Sequence, residues 1–160
     1  MHFSVLVIGE NFEEQLSKFN HDLNPDNKDS KWDWYEIGGR FENFFILKNG
    51  EFSDQALKKD IDWEATLLNN SKKLKEYFKQ KSSSTSLFSL MHDDKTEEEF
   101  LDNHYYVYTH AIIKNGKWKE LNKLIIYKNC KSHKKWSATW KKTVDSLPDD
   151  TLLTIIDCHI

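Results

Sequence analysis

Two short runs of branched aliphatic residues lie at opposite ends of the chain, FSVLVI at residues 3–8 and TLLTIID at residues 151–157. A strand with one wet face alternates apolar and polar residues; a run that is apolar on both faces belongs inside a sheet. Val5, Val7, Leu153, Ile155 and Ile156 are of the second kind. The two runs are therefore expected to pair as neighbours in the middle of one sheet, and every other element has to be arranged around them. Gly9 and Cys158 are expected to end these strands at the sheet margin, which would carry His159 out among the loops. On that reading, deleting residues 157–160 costs binding more than folding, and deleting from Leu152 unfolds the domain.

Between the two runs the signals alternate. Asn11 is placed to cap a first helix, with Glu13 and Glu14 at its positive end and Phe12, Leu16 and Phe19 at helical spacing. Residues 21–30, with Pro25 and several Asn and Asp, read as a loop. Residues 41–47 are apolar enough for a strand, and Asn49-Gly50 signals a turn. Residues 62–81 give the clearest helix, with Trp63, Ala65, Leu67, Leu68, Leu74, Tyr77 and Phe78 forming most of one stripe. Residues 82–86 read as a linker-like loop and 96–101 as a short helix. Residues 105–113, the Asn115-Gly116 turn and residues 117–120 read as a hairpin, and 124–127 as another short strand. Residues 133–147 read as a helix holding Trp136, Trp140 and Val144, broken by Pro148. No internal repeat or domain boundary interrupts residues 1–160. The order predicts one α+β domain: a single mixed or antiparallel sheet with helices packed on it, in a ferredoxin-like core with insertions.

Composition narrows the function classes. At 160 residues the chain is long enough to bury a core without disulfides or a structural metal. Charged residues are 31% and hydrophobic ones 38%, the balance of a soluble globular domain. With 23 basic against 26 acidic residues the net charge is −3, which speaks against duplex nucleic acid as the main partner. No apolar run approaches the roughly 20 residues of a membrane span, so no membrane partner is expected. The opening residues lack a basic region and a small-residue cleavage site, so no signal peptide is expected. With two cysteines, Cys130 and Cys158, the reading is a reducing cytoplasm.

Of the 23 basic residues only one, Arg40, is arginine. An AT-rich genome accounts for the abundance of lysine, but Arg offers a planar fork of donors that Lys cannot copy. Arg40 follows Gly38 and Gly39 at the end of KWDWYEIGGR. The glycine pair allows positive φ and close approach of a ligand, and successive N–H groups in such a turn can cradle an anion. Arg40 could clamp a phosphate or carboxylate, and Trp32, Trp34 and Tyr35 could supply a flat face for a ring. In a strand, Trp32 and Trp34 share one face. The structural alternative is that the aromatics are core and Arg40 pairs with Asp33 or Glu36 beside a tight turn.

Two further segments carry reactive residues. In Asp157-Cys158-His159, a continuing strand turns Asp157 and His159 one way and Cys158 the other, so Cys158 and His159 cannot form a nucleophile–base pair. Asp157 could orient His159, or both could hold a metal with His110; no recognised metal spacing supports the latter. In the hairpin, Tyr106, Tyr108 and His110 share a face that could line a pocket or simply be a half-wet sheet face. No Walker loop, nucleophile elbow or kinase set is present.

The segments FSVLVIGENFEEQL, KWDWYEIGGRFENFF, SDQALKKDID and DSLPDDTLLTIIDCHI resemble a family of small uncharacterised proteins of bacteriophages and prophages. The resemblance covers both ends and the first 62 or so residues. Members usually carry Trp after Gly-Gly-Arg, where this chain has Phe41, and a Gly- and Trp-rich loop where this chain has the lysine-rich residues 121–135. The resemblance implies a phage protein acting in the cytoplasm of the infected host, and small phage proteins outside the virion often counter host defence. The expectation is a non-enzymatic pocket, without cofactor or metal, that sequesters a small anionic, nucleotide-like immune signal. Arg40 and the backbone of Gly38 and Gly39 would hold phosphate, Trp34, Tyr35 or Tyr108 would stack on the ring, and His110, Asp157 and His159 would finish the wall. An enzyme degrading such a ligand, with His159 as acid/base, and a protein–protein inhibitor are the alternatives. A homo-oligomer is left open.

Overall fold

The computed structural model describes residues 1–23, 26, 28–82, 109–121 and 130–160. In chain order the elements are β1 (His2–Ile8), α1 (Phe12–Ser17), β2 (Trp34–Ile37), β3 (Phe45–Ile46), β4 (Phe52–Ser53), β5 (Gln55–Leu57), α2 (Trp63–Ser82), β6 (Ala111–Lys114), β7 (Lys117–Glu120), α3 (Cys130–Asp145) and β8 (Leu152–His159). Single turns of 3₁₀ helix lie at Gly39–Phe41 and Lys58–Asp60.

The two apolar termini meet as expected. β1 and β8 pair antiparallel along their whole length, from His2 opposite His159 to Ile8 opposite Leu153. β6 lies parallel to β1 on its other side, and β7 returns antiparallel as the outer strand. The free side of β8 is shared by two short strands, β2 against its C-terminal half and β5 against its N-terminal half. Ile155 makes the hand-over: its carbonyl accepts from the Gly38 N–H (2.9 Å) and its N–H donates to the Asp54 carbonyl (2.8 Å).

Burial on both faces explains why β1 and β8 do not alternate. Val5, Val7, Ala111, Ile113 and Ile156 pack with Leu16, Phe19 and Trp32 on one face. Leu6, Ile8, Ile112, Leu153 and Ile155 pack with Phe45, Ile61, Trp136, Trp140 and Val144 on the other. The indole N–H groups of α3 are satisfied inside that second layer: Trp136 donates to the Thr109 carbonyl (2.8 Å) and Trp140 to the Thr109 hydroxyl (3.1 Å). Burying a polar atom without such a partner costs about 1–3 kcal/mol.

The class is α+β with helices packed on a mixed sheet, as the sequence predicts. The strand order differs from a ferredoxin-like core, in which the second hairpin strand lies antiparallel beside the first strand of the chain. Here the first hairpin strand, β6, takes that place and runs parallel to β1. The reason is burial. Ala111, Ile112 and Ile113 are all buried, whereas β7 keeps Lys117 and Lys119 exposed and suits only the margin. The long connection from β1 to β6 leaves room for the parallel crossover.

Three local expectations are also corrected. The strand over 41–47 shrinks to β3, because the Gly39–Phe41 turn of 3₁₀ helix consumes its start. Trp32 does not share a face with Trp34: it is buried against Leu16, its indole donating to the Leu16 carbonyl (3.1 Å), outside β2. β8 continues through Cys158 to His159 instead of ending at the sheet margin. The helix over 96–101, the strand over 124–127 and Tyr105 to Tyr108 lie outside the described residues.

Candidate functional site

Near its C-terminal end β8 buries a carboxylate, Asp157, opposite Ser4 of β1. Asp157 is 1% exposed. Its carboxylate oxygens sit 3.0 and 3.1 Å from His2 Nδ1, and Oδ2 accepts the backbone N–H of Arg40 at 3.0 Å. Strand register assembles the neighbourhood. His2, His159 and Trp34 form one cross-strand row, and Ser4, Asp157 and Glu36 the next. The His2 ring lies 5.0 Å from that of His159 and 6.1 Å from that of Trp34, both edge-on.

The glycine pair is explained by two carboxylates. Gly38 and Gly39 take φ of +70° and +53°, where an L side chain is strained. A Cβ on Gly39 would stand 2.6 Å from Asp157 Cβ, and one on Gly38 2.3 Å from Asp54 Oδ2. Asp54 in turn accepts the N–H groups of Asn43 (3.1 Å) and Phe44 (2.9 Å). The turn does hold an anion, but the anion is the protein's own Asp157. Three further N–H groups of the turn are committed, Gly38 to Ile155, Phe41 to Gly38 and Glu42 to Gly39, and the Gly39 N–H makes no hydrogen bond to a described residue. The expectation that the Gly38 and Gly39 backbone cradles phosphate therefore meets a donor already in use at Gly38 and an uncommitted one at Gly39. The side chain of Arg40 is different. It is exposed at the rim of the cleft and makes no hydrogen bond or ion pair with a described residue.

Asp157 does not orient His159. His159 Nδ1 pairs instead with Asp33, 3.0 Å away and exposed, and this hydrogen bond holds the Asp33 carboxyl below the ordinary range. His2 is not among the residues that the sequence singles out, and Asp33, named there as a partner for Arg40, pairs with His159 instead. The signal for His2 lay in the terminal pairing itself, since the register that sets Val5 against Ile156 sets His2 against His159.

Two open clefts flank Trp34. One, of about 450 Å³, is lined by His2, Trp34, Glu36, Arg40 and Glu42 with Asp54 and Asp157 behind them. The other, of about 470 Å³, holds Glu13, Asp22, Asp33 and Tyr35. Burial and the nearby Glu13 push the Tyr35 hydroxyl above its ordinary value. Trp34 thus lines both clefts, whereas Tyr35 lines only the one that lacks Arg40. His110 lies in neither; its ring rests edge-on against Phe3, 5.4 Å away. Tyr108 is outside the described residues. Cys158 is fully buried, and desolvation pushes its thiol far up, which leaves no thiolate for nucleophilic work. Among the described residues no cluster of His, Cys, Asp and Glu is arranged to hold a metal ion, and no helix is long and apolar enough to cross a membrane.

The chain matches no family profile, no curated protein and no solved structure.

Proposed function

We propose that this is a binding protein whose cleft at the β2 edge takes a small anionic, nucleotide-like ligand and holds it without turnover. One observation carries the reading: the only arginine of the chain presents an uncommitted guanidinium at the cleft, beside a half-exposed indole. The charges around it refine the ligand. The buried charge of Asp157 is compensated by His2 and the Arg40 N–H, and that of Asp54 by two backbone donors. Glu36 and Glu42 remain against Arg40. A polyphosphate meets repulsion there, whereas a single phosphate on Arg40, a base stacked on Trp34 and base N–H groups donated to the two glutamates fit together. The resemblance to phage proteins makes a nucleotide signal of host defence, sequestered in the bacterial cytoplasm, the natural candidate. Mass spectrometry of small molecules released by heating protein purified from defence-expressing cells tests this. Recovery of an intact nucleotide is the expected result, and an empty protein from such cells contradicts the reading.

A second reading rests on His2. An imidazole held at Nδ1 by a buried carboxylate is the arrangement of a general base, and a second imidazole stands 5.0 Å away. An enzyme would convert an excess of nucleotide beyond one equivalent and lose that turnover in His2→Ala.

A further inference from the structure

One edge of the sheet is β7 and the other is shared by β2 and the shorter β5; β7 and β2 are built differently. β7 carries exposed Lys117 and Lys119, charges that blunt an edge against added strands. β2 instead exposes Trp34 (49%) and Ile37 (44%). Backbone alternation shows what else it exposes. Gly38 donates to Ile155, so in the antiparallel ladder Glu36 and Trp34 bond inward to β8, and the N–H and C=O of Tyr35 and Ile37 point outward. Neither residue makes a backbone hydrogen bond to a described residue outside that ladder. The surroundings are acidic: Glu13, Asp22 and Asp33 line one side, and on the other, where His2 and two backbone donors already serve Asp157 and Asp54, Glu36 and Glu42 stand with Arg40.

We infer that the outer edge of β2 docks an extended segment of a partner protein in which basic and apolar side chains alternate. Such a segment would take up the Tyr35 and Ile37 backbone groups as a further strand. Its residues on the Glu36 face would be Lys or Arg, paired across the strand with Glu36 and Glu42. Its residues on the opposite face would be apolar, covering Tyr35 and Ile37. Two copies of β2 would instead bring acidic edges together, so a basic partner fits better than a second copy of this chain. The inference shares Glu36 and Glu42 with the nucleotide reading but rests on the outward backbone groups of Tyr35 and Ile37 and not on Arg40, so backbone methylation of the peptide and Arg40→Lys separate the two.

Fluorescence anisotropy with labelled heptapeptides tests it. The probes are one alternating Val and Lys, one alternating Val and Glu, and the Val/Lys peptide N-methylated at alternate residues. The Val/Lys peptide is expected to bind, and the Val/Glu and N-methylated peptides to bind about tenfold more weakly or worse. Glu36→Lys should weaken binding similarly. Ile37→Pro should do so while keeping the native circular dichroism, because it removes an outward N–H and no ladder bond. Arg40→Lys should leave peptide affinity unchanged. Equal binding of the N-methylated peptide overturns strand addition and leaves charge attraction alone. Sedimentation of the free chain as a dimer that Ile37→Pro dissociates assigns the edge to a second copy and overturns the partner segment.

Discussion

Two histidine–aspartate pairs stand side by side in this protein, each closed at 3.0 Å, and they do different work. In the first, Asp157 is buried and bridges His2 to the Arg40 backbone, so one carboxylate ties together β8, the start of β1 and the Gly-Gly-Arg turn. In the second, Asp33 and His159 are both exposed and tie only the entry of β2 to the end of β8. Water screens the exposed pair and supplies its partners when it is broken. A buried carboxylate has no such replacement, and removing its partners leaves a desolvated charge. Equal distance therefore does not mean equal consequence; burial decides which pair is structural and which is adjustable.

The sharpest way to break this contrast is to disturb the seat of Asp157. Gly39→Ala adds a Cβ 2.6 Å from Asp157 Cβ at a left-handed φ. A loss of about 3 kcal/mol or more in chemical denaturation is expected. Wild-type stability in this variant would mean that the turn yields easily and that Asp157 is not its anchor. Asp157→Ala should follow closely, at about 3 kcal/mol. Deleting residues 157–160 should unfold the domain outright, contrary to the expectation from sequence, because Asp157 and Cys158 are buried strand residues paired on both sides.

The exposed pair should respond to pH rather than to removal. The folded-state pKa of Asp33 is depressed by its bond from His159, so the stability it contributes is present above the ordinary aspartate range and fades as pH falls through the depressed value. Asp33→Asn should flatten that acid limb in a melting-temperature profile by losing the same small contribution at neutral pH and converging with wild type in acid. A neutral-pH loss as large as that of Asp157→Ala would place Asp33 in the same class as Asp157. The smallest expected signal is at Cys158. In a Cys130→Ser background its buried thiol should resist an aromatic disulfide reagent at pH 8 until denaturant is added; prompt labelling would show that the end of β8 opens easily.

Much of the fold was legible because it depends on local pattern. Residues apolar on both faces gave the central pair, and the spacing of Trp136, Trp140 and Val144 gave α3. The pairing order was harder, since hairpin chemistry says that β6 and β7 pair but not which lies inside; the exposed lysines of β7 were the available clue. The site was legible in part. Arg40 and Trp34 do share a cleft, and the glycine pair does sit against an anion. That the anion is Asp157, and that its partner is His2, depends on contacts across more than a hundred positions of sequence, which no local motif encodes.

In the proposed site Arg40 divides its labour: its backbone N–H serves Asp157, and its side chain would serve the ligand. Isothermal titration of wild type and Arg40→Lys with nucleoside monophosphates and cyclic nucleotides, alongside ligand-free melting curves, tests it directly. Lys keeps the charge and loses the fork, so binding should weaken by about 2 kcal/mol, roughly 30-fold, with the melting temperature unchanged. Equal affinity in the two proteins, or a marked fall in ligand-free melting temperature, would contradict it.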